Sequence, residues 1–229
     1  MDDAKTTDLQ KMDNFFRQPK LQGQLSSLEK RTSDQSDDYA TEVRTLTTCA
    51  LLAALGVSSS TALLLIPNVE MMIIVIFITG YRYGLRAGIS TTFVALILFE
   101  MVASALFGWL PLVTLAKIPP YLLTTAVGSL LGHADRPLEK KYDQTEASEN
   151  ISLLLGTIGL LLTLFYDCLT TLAFGVSSVG FDLRALALIY FLGLPFTLLH
   201  EISNFIIFLW FPIIMQAMDN VEGTRRAGR

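Results

Sequence analysis

The stretch IFITGYRYGLRAGIS, Ile76 to Ser90, decides how this chain folds. Apolar residues lead into it from Val69 and away from it to Phe107. Gly80, Gly84 and Gly88 recur at every fourth position, and Arg82 and Arg86 fall between them. Glycine supplies backbone freedom, and arginine avoids hydrocarbon. The stretch therefore reads as a turn at a membrane surface, with one span ending near Tyr81 and the next beginning at Ala87.

The rest of the chain supports lipid as its solvent. Of 229 residues, 52% are hydrophobic and only 17% charged, with a mean hydropathy of +0.49. Soluble domains carry about a quarter charged residues. A membrane helix needs on the order of 20 apolar residues. Such segments run from Arg44 to Ile66, where IPNVE ends the first, and from Val113 to Gly132, where IPP bends the early part. Others run from Ile151 to Phe174 and from Leu183 to Met218, the last containing Pro195 and Pro212 and long enough to kink or overshoot the bilayer. With Val69 to Tyr81 and Ala87 to Phe107, the expectation is an all-α integral membrane protein, a six-transmembrane-helix bundle over residues 44–218.

Residues 1–43 are polar, with six Lys/Arg and nine Asp/Glu up to Glu42. So little apolar surface cannot offset the entropy of ordering, and the expectation is a disordered cytoplasmic tail with at most a short helix around LSSLEK. It lacks the basic start and apolar run of a signal peptide. Residues 219–229 form a basic cytoplasmic C-terminal tail. The loops after the second and fourth spans and both ends hold most of the Lys/Arg, whereas the opposite loops hold only Lys117 and Arg184. The positive-inside rule then places both termini in the cytoplasm of a multi-pass protein of the cell membrane.

Cys49 and Cys168 lie in apolar segments without metal or disulfide spacing, and read as buried free thiols. A net charge of −4 argues against a nucleic-acid partner. HExxH, P-loop and nucleophile-elbow motifs are missing, so neither enzymatic activity nor a cofactor or metal is expected.

Polar residues inside apolar helices are expensive and face a cavity or a partner. The topology puts Asn68 and Glu70 at the outer turn between the first two spans, Glu100 in the outer half of the third and Asp167 in the outer third of the fifth. His200, Glu201 and Asn204 lie deeper on the sixth. For Asp167 the choice is a ligand-pocket carboxylate or a helix-end acid paired with Arg184 or Lys117. Glu100 has the same choice, with Lys117 as its partner. His200 and Asn204, one turn apart, serve either a ligand or interhelical hydrogen bonding. Glu70 also fits a solvated boundary, and Asn68 the Pro-Asn turn. Tyr121, Tyr166, Phe165 and Trp109 would stack on a ring or anchor the helices at the interface. Ala50 and Ala54, with Gly56 close by, form a small-residue face suited to close helix docking.

The order IPNVEMMIIVIFITGYRYGLRAG, LFYDCLTTL and GLPFTLLHEISNFIIFLWFPIIM resembles the substrate-binding S component of energy-coupling factor transporters, over about Leu46 to Met218. The resemblance implies a six-helix bundle with an outward pocket for a vitamin or related micronutrient. It also implies a membrane coupling subunit and two cytoplasmic ATPases as partners, with Ala50 and Ala54 matching the family's docking face. Two other readings stand beside it: a scaffold protein of the cell envelope, and a stand-alone proton-coupled transporter using Asp167 or Glu100.

Overall fold

The computed structural model describes residues 19–63, 70–134 and 145–227, and these are helical apart from short turns. The helices are α1 (Pro19–Ala62), α2 (Met72–Phe107), α3 (Pro111–Ala134), α4 (Thr145–Val179), α5 (Leu183–Leu209) and α6 (Phe211–Ala227). Among the described residues, four segments are long and apolar enough to cross a membrane: Lys30–Ala62, Met72–Phe107, Asn150–Val179 and Leu183–Leu209. The 24 residues of α3 would extend about 36 Å. Lys117, Pro119, Pro120 and His133 interrupt the apolar run of α3, which is not one of those four. Large side chains such as Leu153, Phe191, Leu192 and Ile202 lie exposed along these helices, as befits surfaces solvated by lipid.

Residues up to Thr47 form one compact unit and Thr48–Arg229 a second. In the first, the structure corrects the expectation of a disordered tail: from Pro19 onward the chain is helical, well beyond LSSLEK. Residues 1–18 lie outside the described part. Burial does not explain this helix, whose side chains from Lys30 to Arg44 are exposed wherever they are described. Helix nucleation is the costly step and propagation is not. An apolar segment that is already helical can extend backwards through Glu, Lys, Gln and Leu, which lose little side-chain freedom in a helix.

The turn expected at GYRYGLRAG is present. Helical geometry holds on both sides of Gly84, but Gly84 itself has φ 81° and ψ 177°, a conformation open to glycine and costly for other residues. A side chain added at Gly88 would meet the Gly80 backbone at 3.1 Å, so residues 72–83 and 85–107 fold back on each other around Gly84. What continuous hydrogen bonding makes one element is therefore a helical hairpin. α3 closes against the same corner. A Cβ at Gly80 would fall closer than 3.0 Å to the Thr125 carbonyl oxygen, one at Gly128 to that of Phe77, and one at Gly132 to that of Tyr81. Thr92 and Thr125 hydrogen-bond across the seam at 2.7 Å. Close backbone approach and a polar clasp are the devices that hold helices together where lipid offers no hydrophobic drive.

In the second unit, α1 contributes the buried stripe Cys49, Ala53, Gly56 and Ser60, spaced to share one helix face. Gly56 lies against Met72 and Val75 of α2. Ala50 and Ala54 are exposed on another face. The small-residue segment is thus divided: Gly56 serves internal packing, while the two alanines point outward.

Gly180 (φ 68°) and Asp182 make the turn into α5, where the Asp182 carboxylate accepts hydrogen bonds from the Arg184 and Ala185 amides at 2.9 and 3.4 Å. α4 and α5 then run antiparallel. Gly175 meets Leu186, Asp167 meets His200, and Gly159 meets Phe208, a register that also brings Thr163 level with Asn204. The long final apolar segment breaks at Trp210, before Pro212, whose nitrogen cannot continue the hydrogen-bond ladder. α6 carries on through Ala227, so the first part of the C-terminal tail is helical, and Asp219 on it pairs with Arg82 at 2.5 Å. Packing is most extensive within the α2–α3 and α4–α5 pairs, with α3 and α4 joining them. Cys168 corrects the expectation of two buried thiols. Both cysteines are free, but only Cys49 is buried. The Cys168 carbonyl accepts a hydrogen bond from the Tyr190 hydroxyl at 2.6 Å.

Candidate functional site

Near the end of the bundle that carries the Gly108 and Gly180 turns, a cavity of about 730 Å³ opens among α3, α4, α5 and the residues just before α2. Its polar wall holds Glu70, Lys117, Asp167 and His200, while Tyr166, Phe174 and Phe196 supply much of the apolar lining. Thr170, Thr171 and Thr197 add hydroxyl groups.

The centre of this wall is the Asp167–His200 pair, joined from Nδ1 to Oδ1 at 2.8 Å. Both residues are buried, at 6% and 2% exposure. Asp167 Oδ2 and His200 Nε2 are enclosed and have no hydrogen-bond partner among the described residues. The pairing differs from the sequence expectation, which offered Arg184 or Lys117 to Asp167. Arg184 instead follows the Asp182 cap, and the antiparallel register of α4 and α5 sets the histidine opposite the acid.

Aromatic rings extend the cluster. Tyr121 and Tyr166 stack with centroids 5.2 Å apart, and Tyr166 meets His200 edge-on at 5.8 Å. The Tyr121 hydroxyl donates to Glu70 in a short hydrogen bond. Tyr121 is wholly buried, one turn before Thr125 on the α3 face that carries Gly128 and Gly132 into the glycine seam. Five expected residues therefore come together here: Glu70, Tyr121, Tyr166, Asp167 and His200.

The other expected residues lie elsewhere. Asn204 is fully buried one turn below His200, its amide donating to the His200 carbonyl at 3.2 Å while its Oδ1 has no partner among the described residues. It braces the site from behind and does not line the cavity. Glu100 is taken up by Lys117 at 2.5 Å and by the Thr114 hydroxyl at 2.6 Å, the pairing foreseen as its alternative role. It faces a separate, largely apolar groove beside Trp109. Lys117 also lies 5.1 Å from the Phe99 ring centre. Trp109 and Phe165 are exposed and do not stack into the cavity. Asn68 lies outside the described residues.

Two residues went unselected at the sequence level. Lys117 lines the cavity as well as holding Glu100, and only the fold reveals that it faces both ways. Glu201 is 7% exposed and neither carboxylate oxygen has a partner among the described residues. An acid beside a histidine in the middle of an apolar helix carried the same signal as Asp167 and merited the same attention. No group of His, Cys, Asp and Glu among the described residues is arranged to hold a metal ion.

Neither a protein-family model, nor a curated protein, nor a solved structure matches this chain.

Proposed function

We propose that this chain is the substrate-binding subunit of an energy-coupling-factor type importer, without catalytic chemistry of its own. In this reading residues 44–218 cross the cell membrane six times, the two arms of the Gly84 hairpin and α3 each making a crossing, with both termini in the cytoplasm. The cavity then opens outward, captures a vitamin-like micronutrient, and delivers it inward together with a membrane coupling subunit and two cytoplasmic ATPases. One observation carries the proposal: a cavity of about 730 Å³ whose wall holds a buried acid and histidine, each with a polar atom unpartnered among the described residues, in a largely apolar bundle. Buried polar groups are normally satisfied, and such atoms invite a ligand.

Coexpression with the coupling subunit and ATPases, followed by uptake assays and mass spectrometry of extracted small molecules, tests it. ATP-dependent uptake and a retained small molecule support the reading. Uptake driven by a proton gradient without ATPases would favour a stand-alone transporter. The outward-facing Ala50 and Ala54 extend the prediction. Ala50→Leu with Ala54→Leu should cut complex formation and uptake about tenfold or more while the isolated subunit binds its ligand normally. Unchanged uptake removes that face from docking.

The scaffold reading draws on the same pair, since Asp167–His200 and Glu100–Lys117 each join two helices. It predicts a stable association with envelope proteins and no retained small molecule.

A further inference from the structure

The charges around the cavity are unequally available. Lys117 is the sole Lys or Arg among its described lining residues, and Glu100 holds it at 2.5 Å. Thr114 binds the other Glu100 oxygen, fixing the carboxylate that fixes the lysine. The cavity's positive charge is thus matched by an acid that does not itself line the cavity. Among the described residues no Lys or Arg serves the two acids of the cavity wall. Glu70 is met by a neutral phenol, and Asp167 by one imidazole nitrogen, leaving Oδ2 enclosed and unpartnered among the described residues. Two acidic residues therefore line the space, one of them with an unpartnered oxygen just behind the wall among the described residues, in surroundings where charges are weakly screened.

From this imbalance we infer that the cavity selects an organic cation: an amidinium, ammonium or protonated heterocycle carried on a planar, ring-sized body. The inference rests on the cavity being the ligand site proposed above, and it adds the sign of the ligand. A donor-bearing cation satisfies Asp167 Oδ2 and balances the acids, with hydrogen bonds roughly twice as strong as neutral ones. The Tyr166, Phe174 and Phe196 rings suit the planar body and favour positive charge over their faces. A carboxylate or phosphate ligand would face Glu70 and Asp167 with Lys117 already engaged, and is rejected by like charge.

The test uses the purified full-length chain in nanodiscs and three near-isosteric probes: 2-naphthamidine (cation), 2-naphthamide (neutral) and 2-naphthoate (anion). Naphthamidine should bind about tenfold or more tightly than naphthamide, and naphthoate more weakly still. Asp167→Asn keeps an oxygen for His200 and should erase most of that preference. Glu100→Gln should lower naphthamidine affinity about tenfold with little change for naphthamide, because it releases Lys117 toward the cavity. A variant that only weakened the fold would lower binding of both probes and the thermal transition together, so the ratio of the two affinities is the deciding readout.

Naphthoate binding as tightly as naphthamidine, or a preference untouched in both variants, overturns the inference. If the preference is missing yet a small molecule co-purifies with the chain, the cation assignment falls and the substrate-binding function stands. If no probe binds and nothing co-purifies, both fall.

Discussion

Replacing Gly128 and Gly132 together with alanine should cost about 3 kcal/mol or more and leave little monodisperse protein after detergent extraction. Each added methyl meets a carbonyl oxygen of the facing arm, Phe77 or Tyr81, closer than 3.0 Å. Backbone is the least yielding neighbour available, because it moves only if a whole helix moves. The corner where the Gly84 hairpin meets α3 would have to open, and the Thr92–Thr125 hydrogen bond would open with it. Gly193→Ala is the internal control. It also sits in a helix, but nothing lies within 4 Å of the added methyl, so helix propensity alone predicts a gain of about 1 kcal/mol. Thermal unfolding followed by size-exclusion chromatography measures both. Equal stability of the Gly128/Gly132 variant and the parent would show that the seam is looser than described.

His200→Leu should destabilise the chain by about 3–5 kcal/mol, since it strands Asp167 in an enclosed place without its hydrogen-bond partner. Adding Asp167→Leu should recover most of that loss, because two apolar side chains of similar bulk leave nothing unsatisfied. Thermal unfolding of the parent, both single variants and the double variant gives the coupling directly. The same four proteins also separate a bracing pair from a binding one. A folded double variant without ligand binding or uptake assigns the pair to the cavity. A folded double variant with normal uptake reduces it to an interhelical clasp.

Much of the helical layout was legible because glycine, proline and charge punctuate it. GYRYGLRAG announced the Gly84 turn, FGWLP the end of α2, and Pro212 the break near Trp210, each by a local rule of backbone geometry. The acid at position 167 stood out as a candidate because apolar surroundings make carboxylates costly, and it lies in the cavity wall. Its partner was not. Choosing His200 over Arg184 or Lys117 required the α4–α5 register, which depends on how Gly159 and Gly175 admit Phe208 and Leu186. The helical stretch from Pro19 was missed for a different reason. Hydrophobic pattern detects helices that bury a face, whereas this one continues an apolar segment and is exposed from Lys30 to Arg44 wherever its side chains are described. For Lys117 the Glu100 pairing was legible from sequence, but its place in the cavity wall was not, since that depends on how α3 meets α4 and α5.

The cavity draws its walls from both of the tightly packed helix pairs. Val113 and Lys117 belong to the α2–α3 side, and Asp167, Phe196 and His200 to the α4–α5 side. A molecule that touches both walls is therefore a rivet between two hairpins. Under the function proposed above, filling the cavity would limit how independently the two pairs tilt, and the exposed helix faces would carry that change without a dedicated signalling path. On that same proposal, a partner resting on those faces would read occupancy as stiffness alone, without touching the bound molecule.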